Sequence, residues 1–128
     1  MRVETVGPKG TGEQPAVAAV GGIHGDEPCG VRAIDRFLAE GPVEAVERPV
    51  KLIVANERAL DARTRYVEGD LNRLFPGDPD SNTHEERLAH DLREEIRGCT
   101  TLGFHATVSF DEPFGTLADL TPEKAQIM

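Results

Sequence analysis

The sequence predicts an α/β fold, a mostly parallel or mixed sheet flanked by helices, as one domain over residues 1–128. Three observations carry that prediction. Two short apolar runs, AVAAV over 16–20 and VKLIVA over 50–55, have the length and composition of buried strands. Between them Val31, Ile34, Phe37 and Leu38 recur at helical spacing. Strand, helix and strand in that order specify a parallel βαβ unit with a right-handed crossover.

Taken in order, residues 1–6 alternate imperfectly and suit an edge strand. Gly7-Pro8-Lys9-Gly10-Thr11-Gly12 is turn chemistry, so a hairpin or a long loop returns the chain to the strand at 15–20. That strand stops at Gly21-Gly22, after which His24-Gly25-Asp26-Glu27-Pro28 presents an imidazole and a carboxylate and enters a helix. Pro28 suits a first helical position, and Asp26 or Glu27 stands where an N-cap or first-turn acid is favoured. The helix runs over 28–40 and stops at Gly41-Pro42. The strongest strand, 50–55, is bounded by Pro49 and Asn56.

Residues 56–82 are polar and arginine-rich, punctuated by Gly69, Pro76, Gly77 and Pro79. They read as a packed functional loop pinned by Tyr66, Leu71, Leu74 and Phe75. Thr83-His84-Glu85-Glu86 has the form of a capping box. Leu88, Leu92 and Ile96 then make an amphipathic helix that ends at Gly98. A short buried strand follows at 101–104, with His105 at its end. Phe110, Phe114 and Leu117 mark the remainder, with a last strand near 115–117.

Charge and cysteine usage narrow the function classes. Acids outnumber bases 23 to 14, for a net charge of −9, and no basic patch stands out that tracks phosphates, so nucleic acid is not an expected partner. Only Lys9, Lys51 and Lys124 are lysine, a pattern that fits either adaptation to high salt or an ordinary acidic cytosolic protein. Cys29 and Cys99 form no CxxC pair, which suits a reduced, cytoplasmic chain. No run approaches the roughly 18 apolar residues of a membrane span, and no signal-like segment opens the chain.

His24 and Glu27 are three apart across a turn, close enough to reach one cation. A histidine and a carboxylate joined by a third ligand is the recipe for a catalytic zinc with an open position. Of the other histidines, His84 and His90 lie six apart on the second helix and read as solvated surface residues. His105 closes a strand, as His24 does, and open α/β sheets bind ligands beyond the carboxyl ends of their strands. The trio His24, Glu27 and His105 either binds a metal or is a set of hydrogen-bonded loop residues. Near it in sequence, Asn56, Arg63, Arg65, Asn72 and Arg73 offer planar donors suited to carboxylates. Surface ion pairing explains Arg58 and Arg63 equally well. It explains Asp70-Leu71-Asn72-Arg73 less well, because Leu71 and Leu74 would bury the backbone and aim the polar side chains together.

His24-Gly25-Asp26-Glu27, Asn56-Glu57-Arg58-Ala59, Arg65-Tyr66, Asp70-Leu71-Asn72-Arg73-Leu74-Phe75-Pro76-Gly77 and His105-Ala106-Thr107 resemble, in order, the succinylglutamate desuccinylase/aspartoacylase family. These are relatives of the zinc carboxypeptidases, and the likeness covers roughly 15–110. It implies a truncated zinc-carboxypeptidase-like fold and a Zn²⁺ ion held by His24, Glu27 and His105. It also implies hydrolysis of the amide or ester bond of an N-acyl amino acid by metal-activated water. Arg65 is then the carbonyl-polarising and oxyanion-stabilising residue, and Asn72 and Arg73 grip the substrate carboxylate. Two departures stand out. Gly103-Phe104 replaces the Asp-Leu that the family writes before its third ligand, removing a carboxylate able to tune that ligand. No motif matches the family's general-base glutamate; Glu112 and Glu123 are the available acids. The competing expectation is a non-catalytic metal- and carboxylate-binding module. An apolar sheet edge at the shortened end is expected to promote homo-oligomers.

Overall fold

The computed structural model of the protein describes residues 1–8 and 14–107. Its centre is β3 (Val50–Val54), whose successive side chains point to opposite faces of the sheet. Ile53 joins Ala18, Val20, Leu88, Ala89 and Leu92 on one face, while Leu52 and Val54 join Ala19 and Ile34 on the other. β1 (Arg2–Val6) lies antiparallel to β3, and β2 (Val17–Gly21) lies parallel on its other side. β4 (Thr100–Gly103) pairs in parallel with β2, giving the order β1-β3-β2-β4.

This mixed sheet with helices on both faces is the fold class the sequence predicts. α1 (Cys29–Glu40) connects β2 to β3 and seats Ile34 in one core layer. α3 (His84–Ile96) seats Leu88, Ala89 and Leu92 in the other. β1 is an edge strand as expected, but it pairs with β3, so no β1–β2 hairpin forms.

Several local expectations are corrected. Residues 56–82 contain a short helix, α2 (Glu57–Ala62), and a 3-10 turn over Leu71–Arg73. Leu71 is fully buried, yet Tyr66 and Phe75 are exposed rather than pinned. β4 exposes all four of its residues, and among the described residues it is the outermost strand on its side of the sheet. Neither Asp26 nor Glu27 caps α1; the cap position is Pro28, which has no side-chain acceptor to offer.

The Thr83 capping box does not close either, since the Thr83 side chain makes no cap hydrogen bond. Glu86 instead accepts from the Ser81 hydroxyl, and the His84 N–H donates to the carboxylate of Glu68. His84 is half-buried rather than solvated, with its Nε2 enclosed and without a hydrogen-bond partner. Burial, together with the nearby Arg58 and Arg87 charges, holds its pKa below the usual histidine range against the opposing carboxylates Glu85 and Glu68. Phe110, Phe114, Glu112, Glu123 and the expected strand at 115–117 lie outside the described residues.

Candidate metal centre

β2 and β4 are parallel neighbours, with Val20 opposite Gly103, so the segments leaving their carboxyl ends emerge side by side. Gly22, at φ 69°, turns the chain out of β2, and the Ala55 and Asn56 N–H groups donate to the Gly21 and Gly22 carbonyls. Ile23 is anchored in the core, which leaves His24 buried at the sheet's rim. His105 follows β4 by two residues and is partly exposed.

The side chains of His24, Glu27 and His105 converge. Their ligand atoms lie within 4.8 Å of one another, and the two imidazole centroids are 5.2 Å apart. Glu27 Oε1 is 2.8 Å from His24 Nδ1, and Glu27 Oε2 is 3.0 Å from His105 Nδ1. The Ala106 N–H donates to the same Oε2 at 2.9 Å. Burial raises the Glu27 pKa, but the Ala106 N–H and the two histidines outweigh it and hold the carboxyl below its usual range. Two nitrogen ligands and one carboxylate at this spacing fit a zinc ion that keeps one position open.

Around the trio stands a residue to which the sequence reading gave no role. Asp70 Oδ1 is 3.1 Å from His24 Nε2, on the far side of the ring from Glu27. A carboxylate behind a metal-binding histidine fixes its tautomer and ring orientation. Gly103-Phe104 supplies no acid before His105, so in this chain the carboxylate that the structure shows serves His24. Asp70 also accepts from Arg65 Nε at 3.4 Å and from the Asn72 N–H at 3.1 Å. Burial raises its pKa as well, and the His24 hydrogen bond, the Asn72 N–H and the His24 and Arg65 charges bring the net shift downward. Its signal was in the sequence, as the first residue of the Asp70–Arg73 block.

Arg65 reaches Glu27 Oε1 with Nη1 at 3.3 Å, and about half of its side chain remains open to solvent. Arg73 Nε lies 3.8 Å from Asp70 Oδ2, and Asn72 is exposed on the same 3-10 turn. Leu71 is buried in the core as expected, but the polar side chains do not all aim together: Asp70 turns in to His24, while Asn72 and Arg73 are exposed. Asn56, by contrast, is fully buried and does not join the donor array. Its Oδ1 caps α2 at the Ala59 N–H, and its Nδ2 donates to Glu85.

The profile of the succinylglutamate desuccinylase/aspartoacylase catalytic domain matches residues 13–111. The chain belongs to this family. Aspartoacylase of Mus musculus is 35% identical over 82 residues, covering 63% of this chain and 25% of that protein. The N-alpha-acetyl-L-2,4-diaminobutyric acid deacetylase of Halomonas elongata is 38% identical over 79 residues, covering 59% of this chain and 23% of that protein. A crystal structure of a succinylglutamate desuccinylase/aspartoacylase from Rhodobacter sphaeroides superposes with a TM-score of 0.65 at 34% identity, over 73% of this chain and 30% of that one. The chain thus spans about a quarter of the length of these curated relatives. The desuccinylase/aspartoacylase match takes in every residue of the converged site, from His24 to His105.

Proposed function

We propose that the chain is a zinc-dependent hydrolase of the amide, or ester, bond of N-acyl amino acids. The observation that carries this reading is the meeting of His24, Glu27 and His105 at the ends of two adjacent parallel strands. A zinc ion held by these three residues supplies a Lewis acid and lowers the pKa of water. Relatives named aspartoacylase and deacetylase agree with deacylation of an amino acid.

The chain's own residues divide the remaining work. Arg65 is oriented by two carboxylates and still open to solvent, so its donors stand ready for a developing oxyanion before substrate arrives. Asn72 and Arg73 project from one turn and offer an amide and a planar guanidinium to the substrate carboxylate. Asp70 ties the two groups together, holding His24 on one side and Arg65 on the other. Glu112 and Glu123 are the candidates for a general base, a role worth about 10²–10⁴-fold in rate.

Metal analysis of the purified protein tests the reading. Zinc is expected at stoichiometric level in the wild type and lost in His24→Ala and His105→Ala; metal content unchanged by either substitution removes it. Turnover of a panel of N-acetyl and N-succinyl amino acids, with Glu112→Gln and Glu123→Gln beside the wild type, then tests catalysis. Zinc-loaded protein that binds these ligands without hydrolysing any of them is a metal- and carboxylate-binding module instead.

A further inference from the structure

Glu85 is fully buried, and the site as described makes no use of it. Its Oε1 accepts from the Val67 N–H at 2.7 Å and from Asn56 Nδ2 at 3.2 Å, and its Oε2 accepts from the Glu68 N–H at 3.1 Å. In return the Glu68 carboxylate accepts the His84 N–H at the start of α3. The first turn of α3 and residues 67–68 are therefore bound to each other reciprocally. Arg65 lies two positions before Val67, and its carbonyl accepts the Gly25 N–H at 3.3 Å. The strip 65–68 is held at one end by the turn carrying His24 and Glu27, and at the other by Glu85.

Burying a carboxylate is costly, and an apolar residue of similar volume would give α3 an easier core position. What an apolar residue cannot do is hold two consecutive backbone N–H groups and fix the strip in one register. We propose that Glu85 is the positioning residue for Arg65. By fixing Val67 and Glu68, its carboxylate sets the backbone from which the guanidinium reaches Glu27 and Asp70. This inference rests on the reading of Arg65 as the oxyanion group. It adds that the group's placement is governed from α3, outside the metal site.

The test is a double-mutant cycle on the full, zinc-loaded chain. The ligand is a phosphinate analogue of an N-acetyl amino acid, whose tetrahedral P–O⁻ mimics the oxyanion, and binding is followed by calorimetry. Glu85→Gln places an N–H₂ against backbone donors and is expected to weaken binding about 10-fold or more, a size that a displacement near 1 Å accounts for. Arg65→Ala is expected to weaken it about 100-fold, and adding Glu85→Gln to it is expected to change little further, since the two act as one unit. Zinc affinity of Glu85→Gln should stay within about twofold of wild type, because Glu85 bonds to no member of the trio. Full additivity, unchanged affinity in Glu85→Gln, or an equal loss of zinc affinity each overturns the inference while leaving Arg65's own role intact. Zinc-loaded wild type that fails to bind the analogue removes the oxyanion reading, and this inference with it. Should Glu85→Gln fail to fold, Glu85→Asp, which keeps the charge and shortens the reach, runs the same cycle.

Discussion

Gly25 leaves no room for a side chain. A Cβ built there stands 2.0 Å from both the carbonyl carbon and the oxygen of Ala59, backbone atoms that cannot swing away. Gly25→Ala is expected to push the His24–Glu27 turn off α2, cost about 1–3 kcal/mol in a urea titration, and weaken zinc binding in parallel. Glu85 gives a second expectation. Burial raises its pKa, but the Val67 N–H, the Asn56 amide and the Glu68 N–H more than offset this, so the folded-state value lies below the usual glutamate one. The unfolded chain then binds the proton more readily, and stability held above about pH 4.3 is lost as pH falls through the folded-state value. Acid unfolding of Glu85→Gln should show a shallower slope in that window than wild type; identical slopes would mean that the buried carboxylate adds nothing. At this scale the sequence was legible where residue type alone restricts the chemistry. Two histidines and a glutamate beyond strand ends marked a candidate cluster, and their side chains do converge. Asp70 was visible only as part of its block, without its partner His24, and Glu85 was not readable, because an acid in a polar stretch looks the same whether it faces water or a backbone N–H.

Local pattern located the larger elements and failed at the short ones. The continuous apolar runs of β2 and β3 and the helical spacing through α1 left one arrangement open, a parallel βαβ unit. α2 has six residues, too few for an apolar period to show, and its cap Asn56 was read as a ligand donor. Thr83 fitted the capping pattern, but Glu68, fifteen positions earlier in the sequence, reaches the same end of α3. The consequence is testable by thermal unfolding. Glu68→Ala should cost about 1 kcal/mol, the usual worth of a helix cap, while Thr83→Ala costs measurably less. The reverse ranking would restore the local capping box.

For the whole molecule, metal and fold should be linked. An ion that binds only the assembled trio stabilises the native state by about 2.7 kcal/mol at a hundredfold excess over its dissociation constant. Adding a chelator should lower the melting temperature of wild type by roughly 5 °C or more and leave His105→Ala unmoved. A second expectation concerns β4, the outermost strand on its side among the described residues, where Leu102 and the following Phe104 are exposed. Sedimentation should show concentration-dependent self-association that Leu102→Lys diminishes; a wild type that stays monomeric over a wide range removes the idea. Fold class was readable at this scale because apolar periodicity fixes layers. The pairing of β1 with β3 was not, since it joins segments that share no local signal.

The place of β4 in the sheet carries one more implication, for how the molecule is made. Glu27 and His105 stand 78 positions apart along the chain, yet they meet because the final described strand docks beside β2. A nascent polypeptide on the ribosome has two of its three donors in hand well before the third is synthesised. On the proposed reading, zinc capture would therefore be a late event in biogenesis, gated by a long-range closure that is slow by its topology.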